Sequence, residues 1–437
     1  MADAVAAPAT PVATWLQRRL GRATSSGEHI RVIDGLRFVA LAMVVFLHVA
    51  TAIWSRDPVW VETAGVTMDW VTPSQFGLQI FFVLSACLLA LPFARRAKGG
   101  PPVSLRRYYM RRLTRLEPPY LLALTAFLLL HPLLGHGSFD ELAPHYVSGL
   151  FYTHWLTHGA PNPILEVAWS LEVEVQFYLL MPLLATVFRI RDKGTRRKML
   201  IAGVVATTGL AHALTIGHHG EGVHDLPLAF LTLPGHLNMF LLGMLMADVL
   251  VHDWNGRKTT AWGDVAFAAG MTGLYLTEPA FGPSRTLLMP VSCILVVGGA
   301  LRGRFFRPVL EKPAIFLIGG MCYSIYLLHF GIVRFAADGI TWGIAPASPL
   351  LDFVVSSLVL ATACLLISVA YFVWIERPCM FPDWPGRART QLGRVIEHVR
   401  LSLTIPSVRW LGQRPPWGWK PATNRVPKQG HDQSFRA

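Results

Sequence analysis

The chain has 437 residues, of which 53% are hydrophobic and only 15% charged, with a mean hydropathy of +0.43. Soluble proteins carry about one-quarter charged residues, so a water-soluble globular chain is excluded, and 24 Phe, 14 Trp and 13 Met exclude disorder. The net charge of +13 comes from basic residues lying between apolar runs rather than on one domain, which argues against a nucleic-acid partner. The composition describes an all-α, polytopic integral membrane protein.

A bilayer core of about 30 Å takes roughly 20 apolar residues in helix. About ten such stretches occur in chain order: Leu36 to Trp54, Gln75 to Ala94, Pro119 to Leu134, Ala168 to Phe188, Leu200 to Ile216, Leu233 to Val251, Ala261 to Leu276, Thr286 to Leu301, Pro313 to Arg334 and Leu350 to Trp374. The start, MADAVAAPATPVATW, lacks the basic and apolar regions of a signal peptide, so the first span is expected to direct insertion. Basic residues alternate between loops. Eight lie from Arg95 to Arg115 and six from Arg189 to Lys198, whereas His131 to Val167 and Gly217 to Pro234 hold none. The positive-inside rule then predicts both termini in the cytoplasm. Three regions are expected: an N-terminal tail (1–30), a membrane domain (31–378) and a basic Pro-, Arg- and Trp-rich tail (379–437). Within that tail, Leu392 to Ile405 is compatible with an amphipathic helix on anionic lipid. Cys87, Cys293, Cys322, Cys364 and Cys379 form no CxxC pair and no Cys/His ligand spacing, so neither a disulfide framework nor a metal site is expected.

Ionisable side chains inside spans are costly and mark functional sites. In the first span His48 follows Arg37 by eleven residues, about 16 Å along a helix. That puts Arg37 at the inner edge and His48 in the outer half. In the fourth span, WSLEVEVQFYLLMP carries Glu172 and Glu174, which face opposite sides of a helix. Glu174 lies about six residues below its outer end and His48 six below Trp54, so a histidine and a carboxylate sit at matching depth. That is the arrangement of a general-base pair, although an interhelical ion pair predicts the same proximity. Tyr323, Tyr326 and His329 of MCYSIYLLHFGIV and His236 and Asn238 of PGHLNMF lie toward the same outer side. On the inner side Arg112 and Arg115 share one helical face beside Arg111, a spacing suited to chelating phosphate.

These residues form a series that resembles the membrane-bound acyltransferase 3 family, which includes O-antigen, exopolysaccharide and macrolide O-acyltransferases. RVIDGLRFVALAMVVFLH is similar to the family's opening helix, with its Arg-x10-His at Arg37 and His48. FFVLSACLL, RRLTRLEPPY, WSLEVEVQFYLL, YSIYLLH and IERP resemble its later motifs in the family's order, from Arg31 to Pro378. Two departures stand out: Val175 replaces the second family glutamate, and Glu172 stands where serine is common.

The resemblance implies transfer of an acyl group, acetyl by default, from cytoplasmic acyl-CoA to a hydroxyl at the outer face of the inner (cytoplasmic) membrane. The acceptor is a carbohydrate, a glycolipid or a macrolide. It assigns His48 as general base with Glu174 orienting it, and Arg37, Arg111, Arg112 and Arg115 to the acyl-CoA phosphates. Asp34, Tyr178, His236, Asn238, Tyr323, Tyr326 and His329 are assigned to substrate binding. Acyl-CoA is a substrate, and no permanently bound cofactor or metal is expected. Cys87, a buried thiol among apolar residues, is a poor nucleophile. The outer loop with His145, Trp155, His158 and Glu166 is expected to cover the acceptor site. The competing reading is a proton-coupled transporter or flippase using the same histidine and acid.

Overall fold

The computed structural model describes residues 19–22, 30–55, 58–63, 65–214, 232–254, 258–277, 283–339, 348–381, 384–386 and 390. The chain divides into two compact units, 1–385 and 386–437. The expected helix at Leu392 to Ile405 lies outside the described residues.

Among those residues the first unit is helical, with one isolated β-bridge between Thr260 and Gly303. The principal helices are α1 (Arg31–Trp54), α2 (Gly77–Ala97), α3 (Leu105–Leu133), α4 (Phe139–Leu150), α5 (His154–His158), α6 (Ala168–Leu184) and α7 (Lys193–Ala213). They are followed by α8 (Leu233–His252), α9 (Ala261–Leu276), α10 (Pro283–Arg302), α11 (Pro313–Gly320), α12 (Cys322–Gly339) and α13 (Pro349–Tyr371).

Among the described residues six segments are long and apolar enough to cross a membrane: Arg31–Trp54, Met68–Ala97, Leu105–Leu133, Ala168–Arg189, Leu233–His252 and Pro349–Cys379. The broken pair α11 and α12, bent by 72°, makes a seventh if it counts as one span. This is a multi-pass membrane protein. Over the described residues every apolar stretch of the sequence falls on helical turns, but three of those helices fall short as independent spans. Helix α7 opens on Lys193, Arg196, Arg197 and Lys198. Helix α9 has 16 residues, a rise of about 24 Å against a core of about 30 Å. The apolar part of α10 is only Leu288–Arg302.

The third helix begins well before the expected Pro119. It runs unbroken through Pro118 and Pro119 from an N-cap at Ser104, whose hydroxyl accepts from the Arg107 N–H. The run RRLTRLE is therefore helical, which gives Arg112 and Arg115 a fixed common face.

One apolar core joins α1, α2, α6, α8 and α10 through Leu36, Phe82, Phe177, Phe240 and Val296. A second joins α1, α3, α6 and α12 through Leu41, Tyr120, Leu171 and Leu327. Helices α1 and α6 contribute to both, so their polar side chains stand between two dry clusters. Backbones approach closely at two glycines. A Cβ on Gly319 of α11 would lie 1.7 Å from the Asp34 carbonyl oxygen, and one on Gly243 of α8 would lie 2.3 Å from that of Val83. Only glycine admits such contact. Asp248, fully buried on α8, accepts from Arg196 Nε at 2.6 Å and Arg197 Nε at 2.7 Å, and so binds α8 to α7.

Candidate active site

His48 lies on α1, half-buried, with its ring edge-on to Phe330 of α12. Its Nδ1 is 2.8 Å from Nε2 of His329, also on α12. The His329 ring is fully buried, and its Nδ1 lies 2.7 Å from the Tyr326 carbonyl and 3.2 Å from that of Ile325. A carbonyl accepts only, so His329 Nδ1 carries a proton. A fully buried imidazole is costly to charge, so the ring is neutral and its Nε2 is an acceptor. His48 must then donate from Nδ1. The remaining nitrogen, His48 Nε2, holds a lone pair. The backbone of one helix thus fixes the tautomer of a histidine on another.

The second half of the expected pair is engaged elsewhere. Glu174 on α6 accepts a short hydrogen bond from the Ser85 hydroxyl of α2. The Tyr178 side chain, one turn along α6, lies against both groups. Among the described residues no hydrogen bond or ion pair joins His48 to Glu174. Matching depth leaves the rotation of each helix open, and rotation decides which partner is met.

Arg112 stacks over the Tyr178 ring, with Cζ 5.8 Å from its centroid. Arg115 reaches Glu376 at 3.9 Å. Glu376 is fully buried at the end of a π-helical turn, Phe372–Glu376, and accepts from the Ser324 backbone N–H (3.0 Å) and hydroxyl (2.5 Å). Arg37 donates to Asp34 at 2.7 Å, and Arg22 approaches the same oxygen at 3.4 Å. The Nε groups of Arg112 and Arg115 are buried with no hydrogen-bond partner among the described residues. Arg111, by contrast, points out and is exposed. Arginines thus outnumber the carboxylates around them, and two of their buried N–H groups are left over.

The profile of the acyltransferase domain family matches residues 30–373. This chain belongs to that acyltransferase family. O-acetyltransferase OatA of Staphylococcus aureus (strain MRSA252) is 23% identical over 412 residues, 88% of this chain and 63% of that protein. Acyltransferase MdmB of Streptomyces mycarofaciens is 24% identical over 324 residues, 69% of this chain and 79% of its own. Peptidoglycan O-acetyltransferase OatA of Listeria monocytogenes is 26% identical over 200 residues, 43% of this chain and 29% of its own. The chain therefore spans under two thirds of the length of these OatA proteins. No solved structure matches.

The remaining expected site residues of this family member are engaged with their neighbours. Asn238 is committed, donating to Thr208 at 3.2 Å and accepting from the Met239 N–H. Tyr323 ties α12 to α3 through the Leu116 carbonyl at 3.0 Å. Tyr326 bonds Ser170 of α6 at 2.5 Å. His236 is buried between the rings of Phe82 and Trp169. Asp34 serves Arg37 and Arg22. Glu172 is a structural anchor: its carboxylate accepts the backbone N–H groups of His154 (3.1 Å) and Trp155 (3.0 Å) at the start of α5. Reasoning from sequence missed Ser85, Glu376, Ser324 and Arg22, and assigned His329 to substrate binding rather than to orienting His48. The signals were present in part, since Ser85 sits in FFVLSACLL and Glu376 in IERP. Nothing in the sequence singles out Arg22.

Proposed function

We propose that this protein is a membrane-embedded O-acyltransferase of the cytoplasmic (inner) membrane. It transfers an acyl group, acetyl by default, from cytoplasmic acyl-CoA to a hydroxyl of a carbohydrate, glycolipid or macrolide-type acceptor at the outer face. We further infer ten spans with both termini cytoplasmic, the even count that keeps every basic loop inside. The observation that carries the reading is the bare His48 Nε2, fixed by His329. Family membership supports acyl transfer, and the proton-coupled transporter or flippase is not favoured.

In the proposed reaction His48 Nε2 takes the proton of the acceptor hydroxyl. The acceptor oxygen bonds to the thioester carbonyl carbon, the carbon–sulfur bond breaks, and the departing thiolate takes the proton from His48, which returns to its neutral form. His329 accepts from Nδ1 throughout, holds the ring and stabilises the transient imidazolium, as the third member of a hydrolytic triad does. Glu174 acts as a positioning residue for Ser85 and Tyr178, and Tyr178 in turn carries Arg112. Arg112 and Arg115 offer their unpaired N–H groups to the phosphates of coenzyme A, with Arg37 held ready by Asp34. Charge-assisted bonds to phosphate are about twice as strong as neutral ones.

The test is incubation of isotope-labelled acetyl-CoA with the purified protein and a cell-envelope extract. Transfer of label that disappears in His48→Ala is the expected result. Transfer that survives the substitution, or no transfer to any envelope component, contradicts the proposal.

A further inference from the structure

Above α6, the segment joining α3 to α6 gathers three histidines that the proposed reaction does not use. His145 lies on α4, and His154 and His158 are the first and last residues of α5. One ligand nitrogen from each lies within 4.8 Å of the others. The His154 and His158 rings stack at 4.4 Å, and His145 is centred 5.1 Å and 4.7 Å from them. We propose that His145, His154 and His158 form a binding site for a divalent late first-row metal ion, with Zn2+ as the representative ligand.

Four observations carry this. The first is orientation. His154 Nδ1 donates to the Ala160 carbonyl at 3.0 Å, which leaves its Nε2 lone pair facing His145 Nδ1 at 2.8 Å. His158 is held through Nδ1 by Thr157 Oγ1 at 2.8 Å, leaving Nε2 for a ligand. A backbone or hydroxyl partner on the far nitrogen is the usual way that a ligating imidazole is fixed. The second is rigidity. His154 is 1% exposed and its backbone N–H is held by Glu172, while the His145 carbonyl accepts from Asn162 at 3.0 Å. Helix α4 itself starts in a reciprocal cap between Ser138 and Glu141.

The third is charge. The stretch His131 to Val167 contains no Lys or Arg, so the segment itself brings no fixed cation to oppose an incoming one. The fourth is access. His158 is exposed and borders a groove of about 620 Å³ lined also by Asp140, Ser148 and Thr157.

Without an ion, His145 Nδ1–H donates to His154 Nε2. Binding moves that proton to His145 Nε2, so that both facing nitrogens become ligands. At a metal–nitrogen distance of about 2.0–2.1 Å, tetrahedral ligands stand roughly 3.4 Å apart. The 2.8 Å separation must therefore open by about half an ångström, within the reach of side-chain torsions. Three imidazoles leave the fourth position to water or to an oxygen of another molecule. The His-x8-His-x3-His spacing escaped notice because the turn between α4 and α5, not a regular repeat, brings the rings together.

The experiment uses the full-length protein in detergent, purified without a polyhistidine tag and stripped with chelator, then titrated with Zn2+ against a chromophoric competitor. One Zn2+ per chain is expected, with an affinity that falls in His158→Ala and in His145→Ala by at least the roughly 10- to 100-fold that loss of a ligand's hydrogen-bond partner alone costs. His136→Ala, a histidine of the same loop outside the cluster, should bind as the wild type does. Zn2+ should also raise the melting temperature of the wild type but not of His158→Ala, whose exposed side chain can be removed without disturbing the fold. No uptake by the wild type, or uptake undiminished in both cluster variants, overturns the proposal.

Discussion

The histidine pair of α1 and α12 and the arginine cluster around Asp34 and Glu376 solve the burial of polar groups in opposite ways. The pair is neutral, and each hydrogen bond in it fixes the next, from the Tyr326 carbonyl through His329 to His48. A single lone pair is left over, and that is a proton acceptor. The cluster is charged, with Asp34 shared by two arginines and Glu376 facing Arg115; among the described residues two buried guanidinium N–H groups, and one oxygen of Glu376, lack a hydrogen bond. The N–H groups are anion donors. One helix, α1, carries His48 of the pair and Asp34 and Arg37 of the cluster. The leftover atom, rather than the residue type, tells which chemistry each end can perform.

Removing the leftover lone pair should have the largest effect. His48→Ala is expected to cut acyl transfer by about 10²-fold or more, the usual contribution of a positioned base, while coenzyme A binding, read by calorimetry, stays near wild type. Breaking the orienting bond comes next. His329→Leu should lower kcat by roughly tenfold or more with little change in donor KM, and His329→Gln, whose amide oxygen can accept from His48, should recover part of the loss. In the cluster, Arg112→Ala and Arg115→Ala should each weaken coenzyme A binding about tenfold, a charge-assisted contact being worth roughly 1.5–3 kcal/mol. The exposed Arg111→Ala should change it little, which would separate phosphate binding from mere positive-inside topology.

Smaller effects are expected outside both regions. Glu172→Ala strands two backbone N–H groups and should lower stability by about 1–3 kcal/mol, with transfer per folded molecule retained. His154 faces His145 and His158 at its ring and Glu172 at its backbone. Burial, then His158, holds its pKa near 4 against an ordinary 6.5. The unfolded chain therefore binds this proton first. The stability from His154 is complete above about pH 6.5 and lost progressively toward pH 4, seen as a melting temperature that falls with acidification.

Much of this was legible in the sequence. Apolar length found the long helices but not α4 or α5; the cost of intramembrane charge singled out His48 and Glu174, and helical spacing paired Arg112 with Arg115. What escaped was rotation and closure. The sequence placed Glu174 level with His48, but α6 turns that carboxylate to Ser85, and α12 alone carries both the Glu376 contact, at Ser324, and the His48 contact, at His329. The split of Glu172 from Glu174 followed from helical spacing, whereas the capping role of Glu172 required the fold of a loop that no periodicity describes.

The most direct measurement is the protonation of the two rings, by nitrogen-15 NMR of protein labelled at histidine, with His48→Gln and His329→Gln assigning the signals. The hydrogen-bond chain predicts that both rings are neutral at pH 7 and protonated at Nδ1, with His48 Nε2 bare. A His48 ring protonated at Nε2, with its lone pair on Nδ1, would contradict the role of His329 and leave the proposed base with no free nitrogen to act.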